Sequence, residues 1–106
     1  MFFHLYANIF RSIDRRTALS AQTAAREVLE AETARSKALQ QAYEQAKLRY
    51  QSGITSQLDL LTVENSYLQA ELDRLDAQRA QRAAVADLFK ALGGGWQQAQ
   101  QTAATR

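Results

Sequence analysis

Arg49-Tyr50-Gln51-Ser52-Gly53-Ile54-Thr55-Ser56-Gln57-Leu58-Asp59 is the stretch that decides the fold. Between Met1 and Leu92 there is no proline, and Gly53 is the only glycine. A lone glycine between two long helix-compatible segments marks the turn of a helical hairpin. Ser52-Gly53 can leave the first helix, with Gly53 in the left-handed conformation that costs other residues energy. Thr55 or Ser56 can cap the second helix, and Ser56-x-x-Asp59 has capping-box spacing with Asp in place of Glu or Gln. Asp59 then stands at the positive end of the helix dipole.

Upstream, a first helix is expected from about Ala7 to Tyr50. Small residues recur at Ala21, Ala24, Val28, Ala31, Ala38 and Ala42, with Arg35 in the missing place. The spacing alternates three and four, which is a heptad. A second stripe carries larger residues, Leu39, Tyr43, Ala46 and Tyr50. Two apolar faces suit a helix with neighbours on both sides, as in a closed ring of helices; they equally suit the broad core face of an ordinary bundle. Most acids of this helix lack a base four residues on, so only weak help from charged pairs is expected.

Downstream, a second helix is expected from about Ser56 to Leu92. Its stripe is Leu58, Leu61, Asn65, Leu68, Leu72 and Leu75, a seam with one polar member. Beyond it Ala84, Leu88, Ala91 and Leu92 take over the apolar face. At 1.5 Å per residue each helix is roughly 55 to 65 Å long. Gly93-Gly94-Gly95 is expected to end the second helix. The tail over 97–106, rich in Gln, Ala and Thr, is expected to be disordered. The fold class is therefore all-α, a long antiparallel helical hairpin of coiled-coil type. Residues 1–17 form the lead-in of the first helix, and residues 18–96 the hairpin, with its tip at 51–56.

Composition narrows the function. Of 106 residues 46% are apolar, but much of that is alanine, so a lone hairpin gains little from folding on itself and looks for partners. The net charge of +2 comes from interleaved signs, a solvated surface and not a nucleic-acid stripe. Arg11, Arg15 and Arg16 form one basic cluster; it reads as ordinary exposed helix, with nucleic acid or anionic lipid as the alternatives. With no cysteine, disulfides, thiol catalysis and a lipid-accepting cysteine are excluded for this chain. Met1 to Phe10 is apolar and aromatic. It is too short to span a bilayer and lacks the basic leader and cleavage site of a signal peptide.

Chemistry of the catalytic kind is not written in the chain. His4 is the single histidine, and no set of His, Cys and carboxylates has metal-ligand spacing. The triple glycine is not a phosphate loop, since no Lys-Ser or Lys-Thr follows it. Glu71 and Asp73 lie on different faces of a helix. The expectation is no enzyme, no cofactor and no metal. Asp59 reads first as a helix N-terminal acid.

Two stretches carry a family resemblance. Ala46-Lys47-Leu48-Arg49-Tyr50-Gln51-Ser52-Gly53-Ile54-Thr55-Ser56-Gln57-Leu58-Asp59-Leu60-Leu61 resembles the turn L-x-R-Y-x-x-G-x-x-S-x-L-D-V-L-D-A-Q of the outer membrane factors. Leu88-Phe89-Lys90-Ala91-Leu92-Gly93-Gly94-Gly95-Trp96 is similar to their terminus L-Y-K-A-L-G-G-G-W. These are the TolC-like and NodT-like channels of bacterial tripartite efflux systems. The likeness runs from about Ala18 to Trp96.

The resemblance implies a homotrimer, in which the hairpin is part of an α-helical barrel spanning the periplasm below a membrane β-barrel. Gly53 would sit at a periplasmic tip that docks a periplasmic adaptor protein serving an inner membrane pump. Arg49, Gly53, Ile54, Thr55, Ser56 and Leu58 match the docking tip, and Asp59 matches an aspartate of the pore gate. The family's second aspartate position is Thr62 here, followed by Val63-Glu64, so Glu64 is left to supply charge nearby. The implied place is the outer membrane and periplasm. The family's chains are about four times as long, and the missing leader, strands and first repeat make a fragment the expectation. The competing function is a stand-alone hairpin that mediates protein assembly, or a non-functional truncated remnant. Neither reading involves nucleic acid.

Overall fold

The computed structural model describes the backbone of residues 2–104 and the side chains of residues 3–93. It holds two helices, α1 (Phe2–Gln51) and α2 (Gln57–Ala104). The fold is the all-α hairpin that the sequence predicts, with no strand among the described residues. α1 begins earlier than Ala7, because nothing upstream breaks it. α2 differs at its other end: it runs through Gly93-Gly94-Gly95 to Ala104 and does not stop at the triplet. Glycine costs a helix roughly 1 kcal/mol per residue, but only proline forbids it, and the Gln- and Ala-rich residues beyond are good helix formers. The side chains of the tail over 97–106, expected to be disordered, lie outside the described residues.

The chain divides into two compact units. One comprises residues 27–79 and contains the turn; the other comprises residues 1–26 and 80–106.

In the 27–79 unit the helices run antiparallel. Tyr43 stacks on Tyr67 with ring centroids 6.0 Å apart, Ser36 bonds Glu71, and Arg35 bonds Asp73, so numbers fall on α2 as they rise on α1. The shielded positions on α1 include Leu29, Glu32, Ser36, Leu39, Tyr43 and Ala46. Those on α2 include Leu60, Val63, Tyr67, Ala70, Arg74 and Ala77. Both sets step three and four, so each helix contributes a heptad seam. Small residues line its tightest part: Ser36 is 3% exposed, Ala70 is fully buried and Ala77 nearly so. So little apolar area is covered that the hairpin gains only modestly from its own seam.

This seam is not the one the leucine pattern predicts on α2. Leu58, Leu61, Leu68, Leu72 and Leu75 are all exposed, and so is Asn65. At 100° per residue the leucine stripe sits about 160° around α2 from the residues that face α1. On α1 the larger stripe, Leu39, Tyr43 and Ala46, enters the seam, while Tyr50 stays exposed. The small stripe from Val28 to Ala42 is exposed. Each helix of the unit therefore has one covered face and one uncovered face.

Charged pairs follow a spacing of three. Glu32–Arg35, Glu44–Lys47, Glu71–Arg74 and Asp76–Arg79 are all i,i+3 pairs. Two of them reach the other helix. Arg35 also bonds Asp73 at 2.9 Å, and Glu71 also accepts from the Ser36 hydroxyl.

In the other unit, Ala18, Gln22 and Ala25 on α1 are partly shielded, as are Gln81, Ala84, Val85, Leu88 and Ala91 on α2. Residues 3–17 are exposed throughout. No described helix is long and apolar enough to cross a membrane.

Candidate functional site: the hairpin tip

The reversal is built by two capping motifs placed back to back. The Ile54 N–H donates to the Arg49 carbonyl at 2.9 Å, and the Gly53 N–H donates to the Tyr50 carbonyl at 3.0 Å. These are the paired bonds of a Schellman motif with Gly53 at the left-handed position, where its φ is 76°. A Cβ at Gly53 would meet nothing within 4 Å, so the demand for glycine is purely conformational. The Leu48 carbonyl accepts twice from Ser52, from its N–H at 3.1 Å and from its hydroxyl at 2.9 Å.

Ser56, and not Thr55, caps α2. Its hydroxyl accepts from the Asp59 N–H at 3.2 Å, and its carbonyl accepts from the Leu60 N–H. The Asp59 carboxylate makes no bond back to the Ser56 N–H, so only half of a capping box is formed. Asp59 stands in the first turn of α2, where the dipole favours an acid. The Thr55 hydroxyl is shut away from solvent with no hydrogen-bond partner.

The predicted tip residues separate into two groups. Arg49, Thr55 and Asp59 line one concavity of about 290 Å3, whose apolar wall includes Ala42, Ala46 and Val63. Arg49 and Asp59 bring both signs of charge to the same opening. Ile54 and Leu58 lie outside that wall and are each 73% exposed. Two branched apolar side chains at the end of a hairpin, both in water, are a cost to the lone chain. Thr62, at the second aspartate position of the resembled motif, turns its hydroxyl back onto the Leu58 carbonyl at 2.9 Å.

Above the tip, Lys47 bonds Glu44 at 3.2 Å and lies 4.6 Å from the Tyr43 ring centre. Further up sits the polar crosslink between the helices. The Arg74 guanidinium grips Glu71 with two bonds, at 3.0 and 3.3 Å, and with the Ser36 hydroxyl holds the Glu71 carboxyl below its ordinary pKa. Arg35, helped by the Gln69 amide, does the same for Asp73. The partners differ, so Glu71 and Asp73 form no carboxylate pair. Residue patterning left this crosslink unseen, because its acids and bases come together only once the register of the hairpin is set. No group of three or more His, Cys, Asp or Glu that could hold a metal is present among the described residues.

The hairpin leaves apolar faces uncovered and ends in an apolar tip. The chain belongs to the outer membrane efflux protein family, whose sequence model matches residues 13–94. It is similar to outer membrane protein OprJ of Pseudomonas aeruginosa, with 39% identity over 56 residues. That match covers 53% of this chain and 12% of OprJ, so it spans about an eighth of the relative. No solved structure matches the chain.

Proposed function

We propose that this chain supplies a helical hairpin to the wall of an outer membrane efflux channel of a tripartite export system. In the assembled channel three copies of the hairpin contribute to a periplasmic barrel of helices. The Gly53 turn faces a periplasmic adaptor that serves an inner membrane pump. The role is conduction and docking, without catalysis.

The observation that carries this reading is the second apolar face of α2. Leu58, Leu61, Leu68, Leu72 and Leu75 are exposed on the side away from the seam with α1. Leucines repeating every three and four residues pack well only against another helix. A helix covered on one side by its hairpin mate and on the other by a new neighbour is an element of a wall. Family membership supplies the kind of wall.

At the tip, Ile54 and Leu58 supply the apolar contact to the adaptor, Gly53 and Ser56 hold the backbone that presents them, and Arg49 and Thr55 flank it. Asp59 supplies negative charge to the narrow end of the pore. Repeated around a trimer, it attracts cations and repels anions when the pore is closed.

The test places residues 13–94 into a full-length channel of the family. Ile54→Asp and Gly53→Pro then abolish export while the trimer still assembles on a non-denaturing gel. Normal export in both variants contradicts docking by the tip and favours a hairpin that serves assembly alone.

A further inference from the structure

The first turns of α1 carry a pattern that the channel reading does not use. Phe3, Tyr6, Phe10 and Ile13 follow one another at three and four residues, and Leu5 and Ile9 widen their stripe. At 100° per residue these six cover an arc of about 160°. Arg11 and Arg15 stand on the opposite side, with His4 between them and Asn8 next to Arg15, in an arc of about 60°. All of these side chains are exposed, and Phe3 is 88% exposed. The family match begins only at Ile13, so the stripe lies mostly ahead of it.

The chemistry of the two faces selects a partner. Three aromatic rings and three aliphatic side chains form one face and Arg11 and Arg15 the other, while Arg16, at the end of the segment, falls at the angle between Leu5 and Ile9. From Phe3 to Arg16 three arginines stand against Asp14 alone, a net of +2 with His4 neutral. A nucleic acid would satisfy the arginines but leave the aromatic face in water. A helix partner would cover the aromatic face but gain nothing from the arginines opposite. An anionic lipid surface satisfies both: the rings enter the boundary between headgroups and chains, and the arginines stay at the phosphates. Aromatic side chains favour that depth, and arginine stems reach from it to the charged layer. The helix lies on such a surface and does not span it, in keeping with the absence of a sufficiently long apolar window among the described residues.

We propose that residues 3–16 are an interfacial lipid-binding helix, with Phe3, Tyr6, Phe10 and Ile13 immersed and Arg11 and Arg15 paired with anionic headgroups. The segment needs neither trimer assembly nor the Gly53 tip for this, so the two readings fail separately.

Flotation of the full 106-residue chain with vesicles tests it. One set is phosphatidylcholine alone, and the other is phosphatidylcholine with a quarter phosphatidylglycerol. The chain floats with the anionic set and only weakly with the neutral one. Arg11→Gln with Arg15→Gln weakens anionic binding about thirtyfold, at the usual contribution of a basic residue near such a surface. Tyr6→Asp with Phe10→Asp abolishes it, with helix content by circular dichroism held in solution. Binding that ignores lipid charge, binding that survives both double variants, or no binding at all overturns the proposal. So does an aspartate variant whose only change is a smaller mass in sedimentation, which would make the aromatic face a contact between copies.

Discussion

Ser36 on α1 donates its hydroxyl to the Glu71 carboxylate on α2, in the most tightly packed part of the hairpin. The bond lies beside fully buried Ala70 and is flanked by the Arg35–Asp73 pair. Small residues bring the backbones close, and this polar pair then fits only one register. Ser36→Leu forces a larger side chain into that space. It lowers stability to urea by about 1–3 kcal/mol, the usual cost of overpacking, whereas Ser36→Thr is milder because it keeps the hydroxyl.

The same crosslink makes the hairpin sensitive to acid. Arg74 and then Ser36 lower the pKa of Glu71, and Arg35 and then Gln69 lower that of Asp73. A carboxylate with a depressed folded pKa stabilises the fold fully above its unfolded value and loses that contribution as pH falls through the folded one. The melting temperature is therefore flat near neutrality and falls in acid, below the ordinary carboxylate range of about pH 4. Glu71→Gln with Asp73→Asn flattens the acid limb. Both groups are solvent-accessible, so 0.5 M salt also shrinks the effect, as roughly 3–10 Å screening lengths require. An acid limb unchanged in the double variant counts against the crosslink.

Gly53 is required for its φ of 76° and not for space. Gly53→Ala therefore costs about 1–2 kcal/mol, and Gly53→Asn less, because Asn tolerates the left-handed region. Gly53→Pro costs most, since it also removes the N–H that bonds the Tyr50 carbonyl. Urea denaturation of the three variants gives the order, and equal losses for Asn and Ala would refute the conformational account.

Ser56→Ala removes the acceptor for the Asp59 N–H. The expected loss is about 1 kcal/mol, read from the same denaturation curves. Thr55→Val retains the shape and removes a buried hydroxyl that has no partner, so it is neutral or stabilising.

How much of this was legible in the sequence depends on whether the signal was local. The turn was, because Gly53 is the sole glycine before the triplet and Ser56-x-x-Asp59 follows at cap spacing. The two-faced character of α1 was also visible. The pairing of faces was not: α2 carries two heptads in different phase, and the more apolar one, the leucines, is the one left uncovered. Periodicity states that a face seeks a partner, not whether that partner lies in the same chain. The seam actually used on α2 includes Arg74 and two alanines, which hydropathy underrates and close approach requires. The ion pairs escaped because they step by three and not four. The glycine triplet misled because glycine weakens a helix without forbidding it.

The leucine face of α2 is where the account is most exposed to test. Leu68→Asp with Leu72→Asp, in a full-length channel carrying residues 13–94 of this chain, leaves the seam with α1 untouched. The fraction of trimer on a non-denaturing gel is the measurement. Loss of the trimer, with Ile54→Asp retaining it in parallel, is the predicted result. A trimer that forms normally with both leucines replaced would contradict the claim that α2 stands in a wall of helices.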